Sequence, residues 1–463
     1  MENNNVTMDK IVSLCKSRGI IFQGSEIYGG MGNTWDYGPV GVEIKNNIKR
    51  AWWKKFVQES ENSFGVDAAI LMNSKVWEAS GHTTSFSDPK MDCKECKTRH
   101  RADNLIENYC SKHKIDGVVV DKMTNEEMEN FIEEHKIACP VCGKHNFTPI
   151  RQFKLMFETS RGVTQDNTDT IYLRPETAQG EFVNFLNVQR SMRAKVPFGI
   201  AQIGKAFRNE ITPGNFIFRT IEFEQMEHQL FCKESDDEIF YNLYKQKAWD
   251  FLVGLGIDQT KLRFKDHDKL AHYAKNACDI QYNFPIGWSE LNGIHNRTNY
   301  DLSRHQEFSG KSMMYLDPIT NEKYIPYVVE YSIGADRLML TVLCDAYREE
   351  KLEDGETRVV LKLAPFLAPY KACVLPLIKK THGEKAKALH TLLAKYFMCD
   401  YDESGSIGKR YRRQDEIGTP FAITVDDDTL NNGTVTIRDR DTMKQDIVKI
   451  EDIKNYIQSR CEY

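Results

Sequence analysis

The chain has 463 residues, a length that corresponds to roughly three domains. Its 41% hydrophobic and 28% charged residues are the proportions of an ordinary globular protein. The formal net charge of −5, from 62 basic and 67 acidic side chains, excludes a broadly basic protein that coats nucleic acid. The first ten residues (MENNNVTMDK) lack the apolar segment of a secretory signal, and no apolar stretch approaches the ~20 residues that cross a bilayer. We therefore expect a soluble cytoplasmic protein without a membrane segment.

The first ninety residues predict a mixture of helices and strands. Residues 8–18 predict a short amphipathic helix that stops at Gly19, and a glycine-rich turn region follows it. Residues 64–72 predict an apolar strand. Between them, residues 40–57 carry an apolar side chain at every fourth position, which marks one face of a helix: Val40, Ile44, Ile48, Trp52 and Phe56.

Residues 82–151 differ in character, because they are polar and contain cysteines. Their clearest helix covers residues 125–135 and begins with a capping box from Thr124 to Glu127. We interpret this segment as an insertion into the first fold.

Residues 155–366 return to apolar strands separated by helices. The expected strands are 171–173, 198–204 and 217–225, and the expected helices are 177–190 and 236–254. Antiparallel strand signals flanked by helices favour an α+β fold over a doubly wound sheet.

A boundary falls in the alanine- and proline-rich stretch at 363–369, and a compact α/β domain is expected after it. Its expected strands are 371–376, 421–425 and 435–440, and its expected helices are 384–397 and 450–458. The predicted domains are therefore a catalytic domain of residues 1–81 and 152–363, the insertion at 82–151, and a C-terminal domain at 366–463.

Four of the twelve cysteines form two Cys-x-x-Cys pairs, Cys93 with Cys96 and Cys139 with Cys142. Four thiolates in such pairs are ligands for tetrahedral zinc, and Cys110 or His113 between them could replace one ligand. The alternatives are a vestigial site or four surface thiols. A redox role is disfavoured because neither pair sits at a strand-to-helix turn. The other cysteines are expected to be free buried thiols.

Residues 202–227 predict a hairpin whose first strand ends in Arg208 (QIGKAFRNE) and whose second strand is FRTIEFEQME, with Pro213-Gly214 in the loop. Arginine, phenylalanine and carboxylates on such a hairpin suit a phosphate, a base and an ammonium group. The alternative is a surface hairpin with cross-strand salt bridges.

Residues 333–343 (IGADRLMLTVL) predict a glycine turn followed by a helix with Arg337 in its first turn. An arginine near a helix N-terminus suits a phosphate. The alternative is a buried helix whose arginine pairs with a nearby acid.

Together, the FRNE hairpin at 207–210 and the GADR helix resemble motifs 2 and 3 of class II aminoacyl-tRNA synthetases, and residues 36–57 resemble motif 1 at their dimer interface. Four further blocks narrow the resemblance to the single-chain, homodimeric glycyl-tRNA synthetases: WEASGH at 77–82, RPETAQG at 174–180, NEITPGNFIFR at 209–219 and GKRYRRQDEIGTP at 408–420. The resemblance covers about residues 8–456.

This resemblance implies an α+β fold: a class II antiparallel-sheet catalytic domain with a cysteine-bearing insertion, plus a C-terminal α/β anticodon-binding domain. It implies a homodimeric glycine–tRNA ligase. Such an enzyme activates glycine with ATP and Mg²⁺ to glycyl-adenylate, then transfers glycine to the 3′ end of tRNA(Gly). The glycine carboxylate is itself the nucleophile, so catalysis rests on positioning and electrostatics. Synthesis of diadenosine tetraphosphate is an expected side reaction of the family.

The resemblance also implies residue roles. The catalytic residues are Arg208, which holds the α-phosphate, and Arg337, which holds the γ-phosphate. ATP contacts fall on Arg208, Asn209, Glu210, Phe218, Arg219, Thr220, Ile221, Glu222, Phe223, Glu290, Leu291, Gly334, Ala335, Asp336 and Arg337. Glycine contacts fall on Arg101, Glu176, Phe223, Glu224, Gln225, Met226, Glu227, Glu330, Tyr331, Ser332, Ile333 and Gly334. Because glycine has no side chain, the acids Glu176, Glu227 and Glu330 are expected to recognise its ammonium group.

Four positions depart from the family's pattern. Ile221 replaces a common arginine, Tyr331 a proline, Ser289 a glycine and Gln229 an acidic residue. An alternative function is that of a catalytically silent class II-like protein that only binds RNA, but the presence of the motif arginines and acids favours the enzyme. A synthetase for another amino acid is disfavoured by the acidic pocket and the RPETAQG block.

The C-terminal basic run at 409–413 (KRYRR) is interpreted as an RNA contact, through phosphates and base stacking. The alternative is a solvated charged loop.

Overall fold

The computed structural model describes residues 6–115, 117–120, 123–161, 169–210, 214–267, 270–271, 273–353 and 355–463. The chain divides into two compact units. Unit 1 consists of Met1–Ala68, Thr177–Lys205 and Gly214–Tyr463, and unit 2 of Ala69–Glu176 and Ala206–Pro213. Among the described helices, none is both long and apolar enough to cross a membrane.

The described helices are α1 (Met8–Ser17), α2 (Pro39–Trp53), α3 (Ser74–Ala79), α4 (His82–Ser85), α5 (Ala102–His113), α6 (Asn125–Glu134), α7 (Ala178–Val183), α8 (Phe185–Ser191), α9 (Asp237–Gly254), α10 (Tyr300–Ser309), α11 (Ala335–Ala346), α12 (Lys379–Leu393), α13 (Ile407–Ile417), α14 (Asp427–Asn432) and α15 (Ile453–Gln458).

The described strands are β1 (Ile21–Gln23), β2 (Trp35–Tyr37), β3 (Ser63–Gly65), β4 (Ser87–Asp92), β5 (Arg99–Arg101), β6 (Arg151–Lys154), β7 (Glu158–Arg161), β8 (Asp169–Tyr172), β9 (Phe198–Phe207), β10 (Glu222–Cys232), β11 (Leu262–Asp266), β12 (Asn276–Phe284), β13 (Gly287–Thr298), β14 (Tyr315–Leu316), β15 (Lys323–Tyr324), β16 (Tyr327–Gly334), β17 (Tyr347–Lys351), β18 (Thr357–Leu361), β19 (Ala372–Pro376), β20 (Cys399–Tyr401), β21 (Phe421–Val425), β22 (Thr434–Asp439) and β23 (Gln445–Lys449).

The largest sheet of unit 1 has seven strands in the order β11-β12-β13-β16-β10-β9-β3. The pairs β11–β12, β12–β13, β13–β16 and β16–β10 are antiparallel, and β3 is parallel to β9. Helices α2, α9 and α11 contact this sheet or one another and contribute to one large hydrophobic core. Because strand side chains alternate between faces, Met226, Tyr331 and Ile333 of β10 and β16 enter that core, whereas Glu227, Glu330 and Ser332 lie on the opposite face.

Helix α2 illustrates how the local sequence determines an element. Pro39 stands in its first turn, where its missing N–H costs nothing, and the apolar face predicted from the sequence is buried. Gly41 allows close packing, since a Cβ there would lie 1.9 Å from the Ile20 carbonyl oxygen. The predicted helix continues past Trp53 as a wider helical turn, Lys54–Gln58. Burial of Trp52 and Phe56 stabilises the packing by roughly 1.5–3 kcal/mol for each side chain.

The C-terminal part of unit 1 contains a second sheet in the order β20-β19-β21-β22-β23. Strand β19 is parallel to β20 and β21, whereas β21, β22 and β23 pair antiparallel. The predicted strand at 421–425 is confirmed as β21, and the predicted helix at 384–397 begins earlier and ends earlier, as α12.

Unit 2 contains the cysteine-bearing segment. Strands β5-β4-β6 form a sheet, and α5 and α6 share a hydrophobic cluster that includes Met91, Ile106 and Ile132. The capping box predicted for α6 is confirmed, because the Thr124 hydroxyl accepts from the Glu127 N–H and the Glu127 carboxylate accepts from the Thr124 N–H.

Two predicted strands are wrong. The stretch predicted at 64–72 contains only the last two residues of β3, Ser63–Gly65, because pairing with β9 ends at the bond from Val66 N–H to the Ala201 carbonyl. The stretch at 217–225 begins instead with a 3-10 turn, Phe216–Phe218, and its strand starts at Glu222. Asn215 and Phe216 have φ values of 64° and 59°, so the chain reverses there before it enters the sheet. The helix predicted at 177–190 is divided at Asn184 into α7 and α8.

Candidate active site

The carboxylate of Glu227 lies on the polar face of β10 and is only 3% exposed. Ser332, directly opposite on β16, donates its hydroxyl to Glu227 Oε1 at 2.7 Å. Gln225 donates to the same oxygen at 3.1 Å, and the Thr177 hydroxyl donates to Oε2 at 2.5 Å. These hydrogen bonds hold a buried carboxylate in one orientation, which suits a cationic ligand group.

Glu330, two residues before Ser332, has a different environment. Its carboxylate accepts hydrogen bonds from Arg297 at 3.1 and 3.2 Å, His295 Nδ1 at 2.8 Å and Gln229 at 3.0 Å. Burial opposes its ionisation, but the charge of Arg297 and the hydrogen bonds outweigh this and lower the pKa of Glu330 to about 2. Glu330 is therefore an ionised carboxylate whose charge is largely compensated by a buried arginine.

Tyr331 and its neighbours on the other face belong to the core. The Tyr331 ring stacks on Phe56 with centroids 4.5 Å apart, and Met226 and Ile333 are buried in the same cluster. These three side chains of the predicted glycine set therefore pack in the core, on the face of the strands opposite to Glu227 and Ser332. The departure at Tyr331 places a large aromatic ring in this core, while the strand still presents Glu330 and Ser332 on the polar face.

Arg337 stands in the first turn of α11, as predicted. Its guanidinium donates to the Glu290 carboxylate at 2.9 Å and to the Glu290 carbonyl at 3.0 Å, and it lies 4.5 Å from the centre of the Phe218 ring. Three predicted ATP contacts from separate segments therefore meet. Leu291, next to Glu290, is buried in the core at 1% exposure.

Asp336 and Glu224 form an ion cluster that sequence reasoning missed. Lys45 of α2, itself 4% exposed, lies 2.7 Å from a carboxylate oxygen of each acid. Asp336 also accepts from the Glu224 N–H at 2.7 Å and from the Tyr37 hydroxyl. Burial opposes ionisation of Glu224, but Lys45 and Lys49 outweigh it and lower its pKa. These contacts tie the start of α11 to β10.

The remaining predicted ATP contacts of unit 1 lie in two places: in the turn that leads into β10 and its first residues, and at the start of α11. Arg219 is exposed, Thr220 is buried and donates to the Glu222 carbonyl at 3.0 Å, and Glu222 pairs with Lys205 at 2.7 Å. Half-buried residues of this set are Ile221, Phe223 and Gly334, and Ala335 is fully buried.

Arg208 and its neighbours belong to unit 2. Its Nε–H donates to the Pro175 carbonyl at 3.0 Å, and its guanidinium lies 5.4 Å from the centre of the Phe86 ring. Asn209 N–H donates to the Leu155 carbonyl at 2.7 Å. Residues 174–176, the first three of the RPETAQG block, and the FRNE segment are distant in sequence and adjacent in this unit.

The other substrate residues predicted in unit 2 have protein partners. Glu176 lies 3.4 Å from His82 Nε2. Arg101 pairs with Asp88 at 3.1 Å and with Asp103 at 2.5 Å, and the hydrogen bonds to Asp103 raise its pKa despite partial burial. Glu210 is close enough to Arg101 to contribute to this effect.

Cys93, Cys96, Cys139 and Cys142 come together in unit 2, with all four sulfurs within 4.8 Å of one another. The Cys93–Cys142 and Cys96–Cys139 sulfur distances are 3.6 and 3.7 Å. A tetrahedron with Zn–S bonds of about 2.3 Å has edges of about 3.8 Å, so the cluster fits zinc. Cys110 lies elsewhere, in the apolar cluster of α5. Sequence reasoning missed His100, whose Nε2 is 3.2 Å from Cys139 Sγ.

The basic run at 409–413 forms part of α13 rather than a loop. Arg410 is buried and donates to the Pro376 carbonyl at 2.7 Å, and Arg413 pairs with Asp402. The Tyr411 hydroxyl bonds to Thr424 at 2.7 Å. These side chains stabilise the C-terminal fold, and Lys409 is the one exposed residue of the run.

Comparison with known proteins gives full-length matches. Residues 157–346 match the family described as tRNA synthetase class II core domain (G, H, P, S and T), and residues 371–460 match the family described as anticodon binding domain. The chain is 60% identical over 460 residues to a glycine–tRNA ligase of Caldanaerobacter subterraneus subsp. tengcongensis, with 99% of each chain covered. It is 58% identical over 459 residues to the glycine–tRNA ligases of Clostridium kluyveri and Geobacillus thermodenitrificans, with 99% of this chain and 99% and 98% of theirs covered.

These matches confirm the predicted fold class, an α+β class II core joined to an anticodon-binding domain. The exact domain boundaries stay a prediction.

Proposed function

Because this chain belongs to the glycine–tRNA ligases, a family of class II aminoacyl-tRNA synthetases, we propose which of its residues carry the two steps of that reaction. The enzyme activates glycine with ATP, as the glycine carboxylate attacks the α-phosphorus and pyrophosphate leaves. The 3′-terminal ribose hydroxyl of tRNA then attacks the glycyl carbonyl, and AMP leaves.

Glu227 is the proposed principal ligand of the glycine ammonium group. The observation that carries this assignment is its buried carboxylate, oriented by Ser332, Gln225 and Thr177. Glu330 is proposed to position this pocket rather than to supply its charge, since Arg297 already compensates it. Contacts of Glu176 and Arg101 with glycine stay predictions.

Arg337 is proposed to bind the γ-phosphate of ATP. In this structure the Arg337 guanidinium donates to the Glu290 carboxylate. A phosphate oxygen can take the place of that carboxylate and accept the same charge-assisted hydrogen bond. Glu290 would then be released to hold the Mg²⁺ that accompanies ATP, because carboxylate oxygens are ligands of this ion. The Mg²⁺ ion would neutralise charge on the phosphates.

Arg208 is proposed to bind the α-phosphate, where negative charge builds in the transition state. Its bond to the Pro175 carbonyl and its contact with Phe86 support this assignment, because both orient the guanidinium before substrate arrives. Phe223 is proposed to stack on the adenine.

The four-cysteine cluster is proposed to hold a structural Zn²⁺ ion. Sulfur distances of 3.6 and 3.7 Å support it, and the ion would tie the Cys93–Cys96 turn to the Cys139–Cys142 turn.

A homodimer is also proposed, on the resemblance of residues 36–57 to the class II dimer motif. A cytoplasmic location is proposed because charged tRNA is consumed there. Synthesis of diadenosine tetraphosphate stays a prediction.

Exchange of pyrophosphate into ATP, with purified full-length protein and no tRNA, tests the activation step. We expect exchange that depends on glycine and is absent with alanine or serine. Light scattering on the same sample tests the dimer. Folded protein that supports no exchange with any amino acid would contradict the assignments and favour the silent RNA-binding relative.

A further inference from the structure

A second cluster of metal-ligating side chains lies at the β11–β12–β13 side of the seven-stranded sheet. It consists of His267 after β11, Asp279 on β12 and His295 on β13, and one ligand atom of each lies within 4.8 Å of the others. His267 Nε2 and Asp279 Oδ1 are 2.9 Å apart. The side chains are 34%, 13% and 20% exposed, so an ion from solvent can reach all three.

The sheet itself brings these residues together. Ala277 pairs with His295 across β12 and β13, so Asp279, two residues further along β12, faces the same side as a diagonal neighbour of His295. Asp279 in turn pairs with Gly293, which leaves room for the imidazole, because a Cβ at 293 would lie 2.7 Å from His295 Cε1.

The hydrogen bond to Glu330 determines the tautomer of His295. Both carboxylate oxygens of Glu330 accept hydrogen bonds from the Arg297 guanidinium, and a carboxylate in this position accepts rather than donates towards His295. The proton of neutral His295 is therefore on Nδ1, which is 2.8 Å from Glu330, and the lone pair is on Nε2. Metal-binding histidines are commonly oriented in this way: one ring nitrogen donates to a carboxylate, and the other ring nitrogen faces the metal.

We propose that His267, Asp279 and His295 bind a divalent transition-metal ion, with His295 coordinating through Nε2 and Glu330 as its outer partner. Two imidazoles and one carboxylate favour zinc over Mg²⁺ or Ca²⁺, which prefer all-oxygen sites. Three protein ligands leave one coordination position to water. This site differs in chemistry from the thiolate cluster. It shares Glu330 with the proposed glycine pocket, but none of its three ligands is among the residues assigned to ATP or glycine.

Equilibrium dialysis of the full-length protein against micromolar ZnCl₂, followed by metal analysis, tests the proposal. We expect wild-type protein to bind one zinc ion per chain more than His267→Ala, and Asp279→Asn to bind that ion about tenfold more weakly or worse. The four cysteines are intact in every sample, so their contribution cancels in the difference.

Asp427→Asn is the matched control. It removes the acid of another His–Asp pair, in which His382 and Asp427 are 3.0 Å apart. Among the described residues, no third metal-ligating side chain joins that pair. It should bind as much zinc as the wild type. His267 is partly exposed and Asp279→Asn is isosteric, so both variants are expected to fold, which circular dichroism checks. Equal zinc content and affinity in wild type, His267→Ala and Asp279→Asn would overturn the proposal, as would an equal loss in the control.

Discussion

Glu227 and Ser332 lie directly opposite each other on neighbouring antiparallel strands, and the Ser332 hydroxyl donates to Glu227 Oε1 at 2.7 Å. The two residues are 105 positions apart in the chain. Thr177, from a third segment, completes the arrangement by donating to the other carboxylate oxygen. The register between β10 and β16 therefore orients the buried carboxylate on which the glycine-binding assignment depends.

Replacing Glu227 with glutamine should weaken glycine recognition selectively. The change keeps shape and removes the charge, and a hydrogen bond to a charged group contributes about 1.5–3 kcal/mol. We expect kcat/KM for glycine in pyrophosphate exchange to fall about 10- to 150-fold, with little change in the KM for ATP. Glu238→Gln, an exposed change on α9, is the control. A variant with unchanged kcat/KM would remove Glu227 from the ammonium site.

Replacing Arg337 with alanine should impair the use of ATP rather than the recognition of glycine. Loss of one preorganised charge that stabilises the transition state costs about 10²–10³ in kcat. We expect a fall of that size in the exchange rate, with a higher KM for ATP. Arg263→Ala is a matched control, because Arg263 also stacks on an aromatic ring, Trp288, at 4.3 Å, but lies outside the predicted ATP set. Equal effects of the two changes would contradict the assignment.

His228 should make stability depend on pH. Burial first, and the charge of Lys247 second, lower its pKa from 6.5 to about 3. Below pH 6.5 the His228 side chain is therefore protonated in the unfolded chain but stays neutral in the native state. The stability that neutral His228 contributes is complete above pH 6.5 and is lost as the pH falls towards 3.

Hydrogen exchange of β10 amides between about pH 7.5 and about pH 5.5, one unit on either side of the unshifted pKa, measures this effect. We expect the opening free energy to fall by up to about 1.4 kcal/mol per pH unit below 6.5, and the slope to flatten in His228→Gln. His113→Gln, a change at an exposed histidine, should keep the wild-type slope. Parallel slopes for wild type and His228→Gln would show that His228 does not carry the linkage.

Replacing Cys139 with serine should remove one zinc ion per chain. The same change should increase hydrogen exchange in β4, β5 and β6, since the ion would connect the turns at Cys93 and Cys139. Cys110→Ser is the matched control, because Cys110 is buried in the same unit but outside the cluster. It should retain the wild-type zinc content. Full zinc content in Cys139→Ser would exclude the four-cysteine site.

Features that depend on a few neighbouring residues were predictable from the sequence. The capping box of α6, the apolar face of α2, the arginine in the first turn of α11 and the two cysteine pairs all follow from local spacing, and the structure contains each of them. The motif blocks also predicted the family, because each keeps its chemistry within a short segment.

Other features were decided only by the tertiary structure. Local propensity favoured a strand at 217–225, but the chain reverses at Asn215 and Phe216 and enters the sheet later. The compensation of Glu330 by Arg297, and the attachment of Asp336 to Lys45, depend on which strands and helices become neighbours. Such pairings join residues far apart in the chain, so no local pattern contains them. Their burial means that each charge needs its partner, because a buried charge left alone is strongly destabilising.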